Sequence, residues 1–186
     1  MKKIFMMAVM AVAALSANAQ NEQGQVTLMP TVGLNVSGIT NAADYKAKAG
    51  FVGGAVVEYG VSDNFGISGG VLFSMQGAKE KDGNKDTYKL NYLNIPIMAN
   101  YYVYKGLAVK AGVQPGFLLS AKDGDESVKD ECKKFDFAIP VGVSYEISKF
   151  VIDARYNIGL TKISKDSDDK SRNSVFQFTV GYKFAL

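Results

Sequence analysis

The run Phe135 to Leu160, FDFAIPVGVSYEISKFVIDARYNIGL, constrains the fold more than any other part of the chain. Phe135, Phe137, Ile139, Val141, Val143 and Tyr145 alternate with Asp136, Ala138, Pro140, Gly142, Ser144 and Glu146. After a short turn at Ile147 to Lys149, Ile152, Ala154, Tyr156, Ile158 and Leu160 alternate with Asp153, Arg155, Asn157, Gly159 and Thr161. Period-two alternation of this length predicts two antiparallel strands, each with one apolar and one polar face. The polar face mixes Asp, Glu and Arg with Gly and Ala, which suits a narrow charged interior. The bulky Phe, Ile, Val and Tyr face suits lipid.

The same unit recurs along the chain. Strands are predicted at Val26 to Ser37, Gly50 to Tyr59, Phe65 to Gln76, Thr87 to Tyr102, Leu107 to Ala121 and Val175 to Phe184, besides the two above. Thr87 to Tyr102 changes phase near Tyr92-Leu93, which predicts a β-bulge there, and Pro96 adds to the irregularity. Pro30 predicts a local gap in the first strand, because proline has no N–H to donate. The glycine pairs Gly53-Gly54 and Gly69-Gly70 lie inside strands and point to close packing and curvature, not phosphate binding.

Eight strands with alternating long and short connections predict an all-β, antiparallel, up-and-down transmembrane barrel. Membrane barrels of this kind have short periplasmic turns and longer outer loops. Most charged residues fall in the four long connections. Tyr59, Tyr101, Tyr104, Tyr145 and Tyr182 lie toward the short-turn side, and Phe51, Phe73, Phe117 and Phe135 toward the long-loop side, as two aromatic girdles would require.

The first residues read as a cleaved signal peptide, residues 1–19. Lys2 and Lys3 precede the apolar Ile4 to Leu15, and Ala17-Asn18-Ala19 is a small-residue cleavage signal. The barrel domain is then 20–186. Without Lys2 and Lys3, the 21 basic residues fall to 19 against 18 acidic ones. This near balance argues against a nucleic-acid partner.

Several runs resemble the small outer-membrane barrels of Bacteroidetes, the porin-family or PorT-like proteins with an outer membrane beta-barrel domain. They are LNYLNIP from Leu90, GVQPGFLL from Gly112, FDFAIPVGVSYE from Phe135, DARYNIGL from Asp153 and the final FQFTVGYKF. The resemblance implies location in the cell outer membrane, among its lipids and lipopolysaccharide, and insertion by the barrel-assembly machinery. The family's terminal signal ends on an aromatic residue, whereas here Phe184 is followed by Ala185 and Leu186.

Six charged residues share the polar face near the short-turn end: Glu58, Lys110, Glu146, Asp153, Arg155 and Lys183. Three are acidic and three basic. Charges confined in a narrow barrel are costly unless paired, so a salt-bridged lumen network is expected. An eight-stranded barrel is just wide enough for side chains to fill, so the lumen is expected to be plugged or very narrow.

Catalysis finds little support. With no His and one Cys in the chain, neither a His-based hydrolase nor a Cys/His metal site can be built. No cofactor is expected. Asp123-Gly124-Asp125-Glu126 and Asp166-Ser167-Asp168-Asp169 lack the full calcium-loop pattern and read as solvated loops. Lys46, Lys48, Lys79, Lys81, Lys129, Lys133, Lys134, Lys165 and Lys170 read as loop lysines, within reach of lipopolysaccharide phosphates or part of a mixed soluble surface. Cys132 reads as an exposed free thiol. The expectation is a monomeric, non-enzymatic outer-membrane barrel in membrane integrity or surface interaction. A narrow channel for ions or small solutes and a soluble periplasmic ligand-binding barrel are the alternatives.

Overall fold

The computed structural model describes residues 23–40, 45–80, 87–124, 126–130, 132–163 and 171–186. The proposed signal peptide lies outside them. The strands are β1 (Val26–Thr40), β2 (Tyr45–Ser62), β3 (Phe65–Glu80), β4 (Thr87–Asn94), β5 (Ile97–Tyr104), β6 (Leu107–Asp123), β7 (Glu126–Ser127), β8 (Phe135–Ile147), β9 (Phe150–Lys162), β10 (Arg172–Tyr182) and β11 (Phe184–Ala185).

These strands make eight staves. β4 and β5 form one stave, because both pair with β3 and β6. Pro96 interrupts it, yet its carbonyl still accepts from Gly70 N at 3.0 Å, and Ile95 N donates to Pro115 O at 2.8 Å. β10 and β11 form the last stave, broken at Lys183, and both pair with β1. That pairing closes an antiparallel up-and-down ring and leaves the staves no unpaired edge. A closed ring is the only sheet that satisfies its backbone groups in hydrocarbon. β7 is a short hairpin return onto β6 at the long-loop end.

The strands extend further than the sequence suggests at their outer ends, because continued pairing satisfies backbone groups above the apolar belt. β2 begins at Tyr45 and β3 runs to Glu80. The turns at the other end are tight. Gly106, at φ +73°, occupies one of them, and a Cβ there would sit 2.5 Å from Glu146 O.

The facing is inside-out relative to a soluble barrel. Leu34 is 61% exposed and Phe178 53%, while Asp153 is 2% and Gln177 0%. Tyr59, Tyr101, Tyr104 and Tyr145 are exposed toward the short turns, and Phe51, Phe73, Phe117 and Phe135 toward the long loops. A soluble barrel with an apolar interior does not fit this facing.

Two sequence expectations need correction. The stave of β4 and β5 keeps one phase throughout: Leu90, Tyr92, Asn94, Pro96, Met98 and Asn100 all point inward. The bulge expected near Tyr92 is present without a phase switch: it lies in the pairing with β6, where one step from Asn91 to Tyr92 faces two steps from Ser120 to Leu118. Apolar residues on the polar phase had imitated a phase switch. Cys132 is buried, not exposed, because it packs under the outer end of the barrel. Within the glycine pairs, a Cβ on Gly54 would lie 2.0 Å from Val71 O and one on Gly70 2.7 Å from Ala55 O, whereas Gly69 faces open space.

Candidate functional site: the barrel interior

The lumen is built in three layers. The layer nearest the short turns holds the charges. Lys183 Nζ donates to Glu146 Oε2 at 2.7 Å and to Glu58 Oε1 at 3.3 Å. Glu58 also accepts from Tyr102 Oη, and from Asn100 Nδ2 at 2.7 Å, while the same Asn100 nitrogen lies 3.0 Å from Ser68 Oγ. This group, with two carboxylates and one ammonium, carries −1. A second group stands beside it. Asp153 accepts from Lys110 Nζ at 2.8 Å and from Arg155 Nε at 2.7 Å, giving a group of +1. The two groups sum to zero.

The strands explain this placement. Glu58 lies on the inward phase of β2 with Val52 and Val56. Glu146 is the last residue but one of β8 and Lys183 sits at the break between β10 and β11, so both reach the lumen at the same end. Lys110 is cross-strand from Asn100 on one side and Gly142 on the other. Gly142 in turn faces Arg155. With no side chain at Gly142, the two cations have room to converge on Asp153.

Above the charges lies a belt of amides and hydroxyls. Asn157 Nδ2 and Gln177 Oε1 are 3.4 Å apart, and Gln177 is the cross-strand partner of Asn35. Asn35 Nδ2 reaches over β2 to Ser74 Oγ at 2.8 Å and Met75 O at 3.3 Å on β3. Gly50, its own partner on β2, lets it pass: a Cβ there would lie 2.1 Å from Met75 O. Asn35 Oδ1, Gln76 Oε1, Gln114 Oε1, Asn157 Oδ1 and Gln177 Nε2 have no hydrogen-bond partner within the protein. Buried polar atoms in that state are ordinarily hydrated, so the belt is a polar compartment between the charged layer and the apolar one.

The outer layer is apolar. Leu90, Tyr92, Leu118, Ala121, Cys132 and Ile163 form one buried cluster, with Ile39, Tyr88 and Val128 packed against it. Tyr88 Oη and Cys132 Sγ are 2.9 Å apart. Asn173 Nδ2 donates to Tyr92 Oη at 3.2 Å and to Asp136 Oδ2 at 3.3 Å, which ties the cap to the polar belt.

All six residues singled out in the sequence are buried in the interior, and all six take part in the two ion-paired groups. Two further charges face inward, outside these groups. Lys48 is buried and donates to Gln76 O at 2.8 Å, so it is not a surface lysine. The phase of Val52, Val56 and Glu58, continued up β2, reaches it. Asp136 shares the inward phase of Ala138 and Glu146 and accepts from Asn173 Nδ2. Lys46, Lys79 and Lys134 are exposed, and Lys129 and Lys133 half-buried. Lys81, Lys165 and Lys170, and the acidic run 166–169, lie outside the described residues. Among the described residues, no grouping of His, Cys, Asp and Glu is arranged to hold a metal ion.

A closed ring of eight antiparallel staves, apolar outside and polar within, defines a transmembrane β-barrel. Residues 18–165 match the outer membrane protein beta-barrel domain, and the chain belongs to that family. It is a protein of the cell outer membrane. Solved structures share the fold. Ail, the attachment invasion locus protein of Yersinia pestis, is 18% identical at a TM-score of 0.53, covering 87% of this chain and 99% of Ail. Neisserial surface protein A is 15% identical at 0.53, covering 86% and 97%. OprG of Pseudomonas aeruginosa is 11% identical at 0.50, covering 89% and 99%. A search of curated proteins found no significant match.

Proposed function

We propose that this protein is a monomeric, non-enzymatic outer-membrane barrel whose lumen is closed by its own side chains. It acts through the membrane wall it forms and the surface its long loops present, not through a pore. The observation that carries this reading is Lys183, which spans the lumen to reach Glu58 on β2 and Glu146 on β8. The Asp153 group closes the same end beside it, and the apolar cluster around Tyr92 and Leu118 covers the other. Ions entering from either side meet paired charges or an apolar constriction. Kinship with the PorT-like barrels of Bacteroidetes and insertion by the barrel-assembly machinery rest on the sequence runs and belong to the same proposal, as does the signal peptide.

The partner-free amides of the middle layer favour a second reading, a narrow ion path. Planar-bilayer recording separates the two. A closed lumen gives no stepwise conductance above background in the full-length refolded protein. Regular unitary steps whose size changes in Lys110→Ala or Arg155→Ala would establish the channel and overturn the closed-lumen reading.

A further inference from the structure

Arg155 enters the lumen with most of its donors unused. A guanidinium carries five N–H donors, and one of them, on Nε, meets Asp153 Oδ1 at 2.7 Å. The four on its two terminal nitrogens meet no acceptor among the described residues. Lys110 likewise uses one of its three N–H donors, on Asp153 Oδ2. Directly across the β9–β10 ladder from Arg155 stands Gln177, whose Nε2 is buried and without a partner. Its Oε1 faces Asn157 Nδ2 at 3.4 Å. On the other flank Arg155 faces Gly142, which puts no side chain into the space. The free donors of two cations and one amide therefore share one corner of the lumen, and no protein acceptor answers them.

The charge of that corner points the same way. Lys110, Asp153 and Arg155 together carry +1. The charges acting on Asp153 are Lys110 and Arg155, whereas Glu146 and Lys183 act on one another and share Glu58. The −1 group balances the sum of the interior without neutralising this corner. A buried net charge is costly unless a counter-ion sits against it. The space is small: Arg155 is 5% exposed, Lys110 6%, and Gln177 and Asn35 0%. That leaves contact for a particle about the size of a water molecule. We propose that this corner binds one small monovalent anion of the chloride class. Arg155 Nη1 and Nη2 and Gln177 Nε2 hold it, and water joins it to the unpartnered Oδ1 atoms of Asn35 and Asn157. Its charge brings the group to zero. The site goes beyond the closed-lumen reading, since it requires only that Arg155 and Gln177 face inward.

Crystals of the full barrel refolded in sodium bromide, measured at the bromine absorption edge, test it. One bromide per chain is expected between Arg155 and Gln177. A peak there without anomalous signal is water and overturns the site. In solution, urea midpoints of the protein refolded into vesicles are compared in chloride and in gluconate, an anion too large to enter, at equal ionic strength. Chloride about 100-fold above its dissociation constant is expected to raise the wild-type midpoint by about 1 M. Gln177→Glu keeps the shape and supplies a carboxylate in the anion's place, so its midpoint is expected to be the same in both salts. Arg155→Lys, with equal charge and fewer donors, is expected to keep less than half of the wild-type shift. Folding of each variant is checked by its unboiled gel mobility. A folded Gln177→Glu or Arg155→Lys barrel that responds to chloride as wild type does overturns the site. Bromide in the crystal with no chloride effect on wild type means binding at crystal concentration only, and overturns it too.

Discussion

Asp153→Asn is the most informative single change, because it isolates charge from shape. In the folded barrel Asp153 holds Lys110 at 2.8 Å and Arg155 at 2.7 Å, and the side chains of all three are at most 4% exposed. Asparagine fills nearly the same volume and removes the only anion of the group, which goes from +1 to +2. Two cations about 6 Å apart at an effective dielectric of about 20 repel by roughly 3 kcal/mol. Removing one partner of a buried pair costs about 3–5 kcal/mol in total. Lys110→Met, by contrast, takes the group from +1 to zero and leaves Asp153 bound to Arg155. The lost hydrogen bond to a charged group costs about 1.5–3 kcal/mol, and the relief of cation–cation repulsion offsets part of it. Asp153→Asn is therefore expected to be the more damaging by about 2 kcal/mol, although both remove the same ion pair with Lys110. Urea titration of the protein refolded into vesicles, read by circular dichroism and by unboiled gel mobility, gives both midpoints. Equal midpoints at equal slopes, or a lower midpoint for Lys110→Met, would refute the argument that group charge governs this layer.

Two further changes probe the packing around that layer. Gly54→Ala places a Cβ 2.0 Å from Val71 O and is expected to lower stability by about 1–3 kcal/mol. Gly69→Ala meets open space and is expected to change it by less than about 0.5 kcal/mol in the same titration. Cys132, buried and touching Tyr88, is expected to resist a water-soluble thiol reagent in the folded barrel and to react as one thiol per chain in denaturant. Rapid reaction of the folded form would show that the outer cap is open.

The barrel was legible because period-two alternation assigns each residue to a face without reference to its neighbours in space. The facing of Phe135–Ile147 and Phe150–Lys162 follows from it, as does the inward placement of all six charges. What it did not carry was which side chains meet. Lys183 and Glu58 are 125 positions apart, and only ring closure brings them together. The alternation also fails where its assumption does. Leu90 and Tyr92 are apolar yet inward, because the outer mouth is sealed by an apolar cluster, and a pattern that equates apolar with lipid-facing reads them as a phase switch. Lys48 was hidden by an adjoining loop: charge beside a loop suggests solvent, while the strand phase continuing upward from Val52 turns it inward.

The break at Lys183 has a consequence for assembly. Its ammonium belongs to the last stave, and the two carboxylates it binds come from β2 and β8, on either side of the seam with β1. Before that stave docks, Glu58 and Glu146 face the interior without this cation between them. Zipping the final strand onto the first and discharging the interior are then one event. The closing pairing of the ring and the charge balance of its interior therefore depend on the same few residues.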